Sequence, residues 1–98
     1  MDTQSLFSLA GRNALVTGGS RGIGKMIATG FIAQGAKVYI SSRKADVCEA
    51  VAEELGPNCI AVPQDISTVD GCRALAATMA GHESGVDILV NNAGAAWG

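Results

Sequence analysis

Aromatic residues are nearly missing from this chain: Phe7, Phe31, Tyr39 and Trp97 are all it has among 98 residues, whereas glycine occurs 13 times. That balance fits an alanine-rich, glycine-turned α/β chain better than a β-sandwich. Cysteine is too sparse for a disulfide scaffold. Cys48, Cys59 and Cys72 are odd in number, lack C-x-x-C spacing and fall on a predicted helix, strand and helix, so they read as free thiols in a reducing compartment. A metal site is not expected, because the one histidine, His82, closes a helical pattern where a solvated or capping role serves it. The seven basic residues, Arg12, Arg21, Lys25, Lys37, Arg43, Lys44 and Arg73, form no long run, and the net charge is −2. No phosphate-tracking stripe results, so nucleic acid is not an expected partner. No apolar stretch reaches the length of a membrane span, and Met1-Asp2-Thr3-Gln4-Ser5 is acidic with no apolar segment behind it. The expectation is a cytoplasmic protein with no secretory signal and no membrane partner, its 98 residues making at most one small domain.

What is present is a pattern of strand, glycine turn and helix. Asn13-Ala14-Leu15-Val16-Thr17 reads as a buried strand, Gly18, Gly22 and Gly24 follow, and Ile23, Ile27 and Phe31 recur every four residues as the inner face of a helix. Glycines so placed let backbone N–H groups approach phosphate oxygens with no Cβ in the way, and the helix that follows aims its positive end at the anion. Gly24 also lets helix and strand pack closely. Glycine turns alone merely redirect a chain, so the weight rests on context.

The context is a regular alternation. Strands are predicted at about 13–17, 37–41, 59–63 and 86–91, with helices at about 22–34, 45–55 and 68–80. Gly35 closes the first helix and Gly56-Pro57 the second. Val47, Val51 and Leu55 form one inward helix face, and Val69, Cys72, Leu75 or Ala76, and Met79 form another. Right-handed crossovers give a parallel sheet of order 3-2-1-4, the first half of a doubly wound α/β sheet. The fourth strand then lies at an uncovered edge, and the chain reads as the N-terminal, truncated part of one domain spanning 1–98.

The stretch Thr17-Gly18-Gly19-Ser20-Arg21-Gly22-Ile23-Gly24 spaces its glycines as T-G-x-x-x-G-x-G, and Val86-Asp87-Ile88-Leu89-Val90 runs into Asn91-Asn92-Ala93-Gly94. Both motifs, in this order, resemble the short-chain dehydrogenase/reductase family, whose fourth strand ends in N-N-A-G; the resemblance runs from Leu9-Ala10-Gly11-Arg12 to Trp97-Gly98. Within the family the chain looks most like NADPH-dependent β-ketoacyl reductases of the rhamnolipid-associated type. The resemblance implies a Rossmann-like fold, and an activity that reduces a ketone, of the 3-oxoacyl thioester kind, to an alcohol. It also implies that Gly18, Ser20, Arg21, Gly22, Ile23 and Gly24 meet the cofactor's phosphates.

Cofactor choice turns on the end of the second strand. Family members that prefer NAD carry an acidic residue there to bind the ribose hydroxyls; here the matching position is Ser42, followed by Arg43. With no carboxylate to repel a 2′-phosphate and the planar donors of Arg43 to receive it, together with Arg21, the expectation is NADP(H). Alternatively Arg43 and Lys44 are a solvated basic pair. The resemblance places Asp65 on the adenine amino group with Ile66 beside the ring, although Asp65 also fits the turn before a helix that Ser67 or Thr68 caps. It places Asn92, Ala93 and Gly94 on the ribose, although Asn91 and Asn92 equally tie neighbouring strands together. No catalytic residue is assignable. The family's acid is a tyrosine with a lysine four residues on, whereas Tyr39 lies in a predicted strand with Arg43 four residues on. The full-length form is expected to be a homo-oligomer. The alternative function is a non-catalytic dinucleotide-binding or interaction module.

Overall fold

The computed structural model describes residues 9–18, 22–82 and 85–92. In chain order the elements are β1 (Asn13–Thr17), α1 (Gly22–Ala33), β2 (Lys37–Ser41), α2 (Ala45–Leu55), β3 (Cys59–Ala61), α3 (Val69–His82) and β4 (Ile88–Asn91). The strands form one parallel sheet of order β3-β2-β1-β4, as the sequence predicts. Register runs from Asn13↔Lys37 to Thr17↔Ser41 between β1 and β2, and from Ala14↔Ile88 to Thr17↔Asn91 between β1 and β4. Strand β3 pairs with β2 from Val38↔Cys59 to Ile40↔Ala61.

Both faces of the sheet carry helices, because successive strand residues alternate sides. On one face Ala14, Val16, Val38 and Ile40, all fully buried, pack against Ala28 of α1 and against Cys48, Val51 and Ala52 of α2. On the other face Leu15 and Tyr39 pack with Val62 against Leu75 and Met79 of α3. Tyr39 is a wholly buried strand residue whose ring lies 5.4 Å from that of His82, the last residue of α3.

Several expectations need correction. Strand β3 ends at Ala61 rather than 63, although the Val62 N–H donates to Ile40 O and the Gln64 N–H to Ser42 O, each at 2.9 Å, so that Pro63 sits between two donors with its own nitrogen turned from β2. Strand β4 begins at Ile88 rather than 86. The inward face of α1 is Gly24 and Ala28 with Ile27 and Phe31 half-buried, while Ile23, expected inside, is 66 % exposed. In α2 the inward residue is Cys48 rather than the exposed Val47. In α3 it is Gly71, Leu75 and Met79, with Val69 and Cys72 turned outward. The smallest residue of a turn takes the inward position wherever a helix approaches backbone closely, and larger neighbours rotate toward solvent.

Candidate functional site

The carboxyl ends of β1 and β4 form the place where the chain's direction across the sheet reverses: α1 carries it from β1 to β2, and α3 returns it from β3 to β4. Open α/β sheets bind ligands at such a point. Gly18 leaves β1 with φ +70°, a left-handed conformation that glycine adopts without strain. Its N–H donates to Ser41 O at 2.7 Å, and its carbonyl accepts from Asn92 Nδ2 at 3.5 Å. A Cβ on Gly24 would strike the Gly18 carbonyl and crowd Asn92 Nδ2, so the first turn of α1 rests directly on that peptide. The close packing expected of Gly24 is therefore present.

Thr17 is the hub beside this turn, a role the sequence reading missed. Its Oγ1 accepts from the Asn92 backbone N–H at 3.0 Å, and lies 3.0 Å from Asn91 Oδ1 and 3.3 Å from Val90 O, as donor to the two oxygens. The N-terminal and C-terminal motifs are thus joined by hydrogen bonds between β1 and β4, and Asn91 and Asn92 do tie strands together. A threonine that ends a strand directly before a glycine turn is the signal that points to such a hub.

The other site residues converge from β2 and β3. Ser42 is half-buried, with Oγ 3.4 Å from Lys44 O, and Arg43 is exposed on the loop. Asp65 is exposed and accepts the Ser67 N–H at 2.9 Å. That hydrogen bonding, helped by the charge of Arg43, holds the Asp65 carboxyl below the ordinary carboxylate range. Arg43 and Asp65, 22 positions apart in the sequence, face one corner. Thr68 Oγ1 accepts the Gly71 N–H at 3.0 Å and caps α3, so Asp65 makes the turn and Thr68 the cap. Gly22 and Ile23 open α1, whose first turn holds no acidic residue to neutralise its positive end. Ser20 and Arg21, like Ala93 and Gly94, lie outside the described residues.

Below this corner, on the α3 face, runs a groove of about 640 Å³ that the sequence reading also missed, lined by Leu15, Ile66, Leu75, Met79 and Leu89. Thr17 and Asn91 stand at its polar end. Leu89 is 64 % exposed there.

The family model for short chain dehydrogenases matches residues 12–98. The rhamnolipids biosynthesis 3-oxoacyl-[acyl-carrier-protein] reductase of Pseudomonas aeruginosa is 52% identical over 94 residues, covering 94% of this chain and 37% of that protein. The solved Pseudomonas aeruginosa RhlG/NADP active-site complex superposes with a TM-score of 0.87 at 49% identity, covering 94% of this chain and 37% of that one. The 3-ketoacyl-(acyl-carrier-protein) reductase from Brucella melitensis complexed with NADH gives a TM-score of 0.79 at 39% identity, covering 84% of this chain and 34% of that one. The chain spans little more than a third of the length of these relatives.

Proposed function

Since the chain belongs to the short chain dehydrogenase family, we propose that residues 1–98 form the NADP(H)-binding part of one Rossmann domain in a ketone reductase. The substrate is a 3-oxoacyl thioester, reduced to the 3-hydroxy form, in keeping with the two acyl-carrier-protein reductases it resembles. The tyrosine, lysine and serine that act on the carbonyl are supplied from outside these residues. The working protein is a cytoplasmic homo-oligomer.

The observation that carries this reading is that Gly18, bonded to Ser41 O at the end of β2, lies under the first turn of α1, with Ser42 and Arg43 next along the chain from Ser41. In this reading Gly18, Gly22 and Gly24 bring backbone N–H groups and the positive end of α1 to the pyrophosphate, and Ser20 and Ile23 are assigned to the same contact. Ser42 stands at the end of β2 where an acid would repel a 2′-phosphate, and Arg43 and Arg21 are assigned to that phosphate. Asp65, held ionised by the Ser67 N–H, accepts the adenine amino group beside Ile66. Asn92, Ala93 and Gly94 are assigned to the ribose. The bound nicotinamide supplies hydride; the part of this chain is to fix the dinucleotide's orientation.

The test is Arg43→Ala in the protein carrying this sequence, titrated with NADPH and with NADH. Loss of a charge-assisted hydrogen bond weakens NADPH by roughly tenfold or more and leaves NADH within about twofold. Equal losses for both cofactors overturn the assignment of the 2′-phosphate to Arg43.

A further inference from the structure

Strand β4 poses a problem that its apolar residues do not solve. Ile88, Leu89 and Val90 are consecutive and similar in size, and none of them is fully buried. A slip of one residue exchanges Leu89 for Ile88 or Val90 on either face, and a slip of two exchanges Ile88 and Val90 on the same face, each at small cost in burial. In β2 the same slip would try to seat Tyr39 where Val38 or Ile40 fits, in a space with no room to spare. The register of β4 therefore needs a polar determinant, and it matters, because Asn91 and Asn92 meet Thr17 and Gly18 in one register alone.

A determinant stands at the opposite end of the strand from the candidate site. The Asn13 N–H donates to Asp87 Oδ2 at 2.9 Å, and the Asp87 N–H donates to Asn13 O at 2.9 Å, closing a ring between two residues. Asn13 Nδ2 reaches Gly85 O at 3.3 Å, and Arg12 Nη1 lies 3.8 Å from Asp87 Oδ1. The arginine is well exposed, so its ion pair adds little; the short hydrogen bonds to the backbone of β1 carry the specificity. A slip in either direction takes the carboxylate about 3.3 Å per residue away from the Asn13 N–H, beyond hydrogen-bonding reach.

We propose that Asp87 is a positioning residue which fixes the register of β4 and so delivers Asn92, five residues on, to the carbonyl of Gly18 at the phosphate turn. The effect on cofactor rests on the function proposed above; the effect on register does not.

Hydrogen exchange on Asp87→Ala in the whole protein separates the two. The Asn92 amide, which donates to Thr17 Oγ1, is expected to lose protection by about tenfold or more, while the amides of Gly18, which donates to Ser41 O, and of Val38 and Ile40 stay within about twofold. NADPH binding weakens in parallel. A uniform loss over all strand amides, or an unchanged Asn92 amide, overturns the proposal. Should Asp87→Ala not fold, Asp87→Asn and Asp87→Glu decide. Asparagine keeps the acceptor in place and is expected to retain the register and to restore NADPH binding. Glutamate keeps the charge beside Arg12 but displaces the oxygens by a methylene, and is expected to loosen the Asn92 amide. The reverse order would assign the effect to the ion pair and overturn the proposal. A parent protein that binds no NADPH, with the exchange pattern as stated, overturns the cofactor reading and leaves the role of Asp87 standing.

Discussion

Strands β2 and β4 flank the same central strand, yet they are held by different physics. In β2, Val38, Tyr39 and Ile40 are fully buried, with helices on both faces, and each contributes on the order of 2 kcal/mol by leaving water. In β4, Leu89 is mostly exposed, Ile88 and Val90 are half-buried, and polar ties fasten the strand at both ends: Asp87 on Asn13, and Asn91 and Asn92 on Thr17. The contrast shows how one sheet divides its labour. Burial supplies the stability on the β2 side, where Arg43 is presented; directional hydrogen bonds supply position on the β4 side, where apolar residues of similar size leave the register open.

The sharpest way to break this contrast is at the seam where both regions meet the Gly18 peptide. Gly24→Ala places a methyl against backbone that no rotamer change can move, and a loss of about 3 kcal/mol or more is expected in urea denaturation. A stable variant would mean that α1 lifts freely. Next come matched truncations: Ile40→Ala should cost about 3 kcal/mol, and Ile88→Ala about 1 kcal/mol, because a half-buried side chain has less to lose. Equal costs would erase the distinction between the two strands.

Alkaline pH probes the buried side alone. Burial, and secondarily the nearby Cys48, push the Cys59 thiol from 9.0 up to about 11. The folded value exceeds the unfolded one, so this contribution is complete below pH 9 and is lost as pH rises toward 11. A decline of order 2 kcal/mol over that window, smaller in Cys59→Ala, is expected from denaturation at stepped pH. The smallest effect runs the other way. Ser41 Oγ, at the end of β2, is buried without a hydrogen-bond partner in the described structure, so Ser41→Ala should raise stability by up to about 1 kcal/mol. A loss instead would reveal a polar contact at that hydroxyl.

Much of the fold was legible because its punctuation is chemical. β-branched runs mark β1 and β2, whose bounds match the expected ones, and Gly35 and Gly56, both with positive φ, end α1 and α2 where a side chain would be strained. Helix phase was not legible. Periodicity finds a stripe of large residues, but Gly24 lies under Gly18 and Gly71 under Asp65, and those close approaches turn Ile23 and Val69 outward. At the site, Ser42, Arg43 and Asp65 were legible one by one, each at the end of its strand. Their convergence was not, because it depends on β2 and β3 ending at the same level of the sheet. The hub at Thr17 and the clamp at Asp87 escaped for a related reason: each joins residues more than 70 positions apart, and a local signal such as the placing of Thr17 does not name the partner.

Tyr39 carries one last consequence. It is the chain's single tyrosine, at 0 % exposure, held between β1 and β3 under the ring of His82. An immobilised phenol in an asymmetric setting has a circular dichroism band in the near ultraviolet that vanishes once the side chain is free to tumble. Tyr39 thus carries an optical label for β2: the part of the near-ultraviolet band that disappears in Tyr39→Phe, followed through denaturation, reports the opening of the buried half of the sheet.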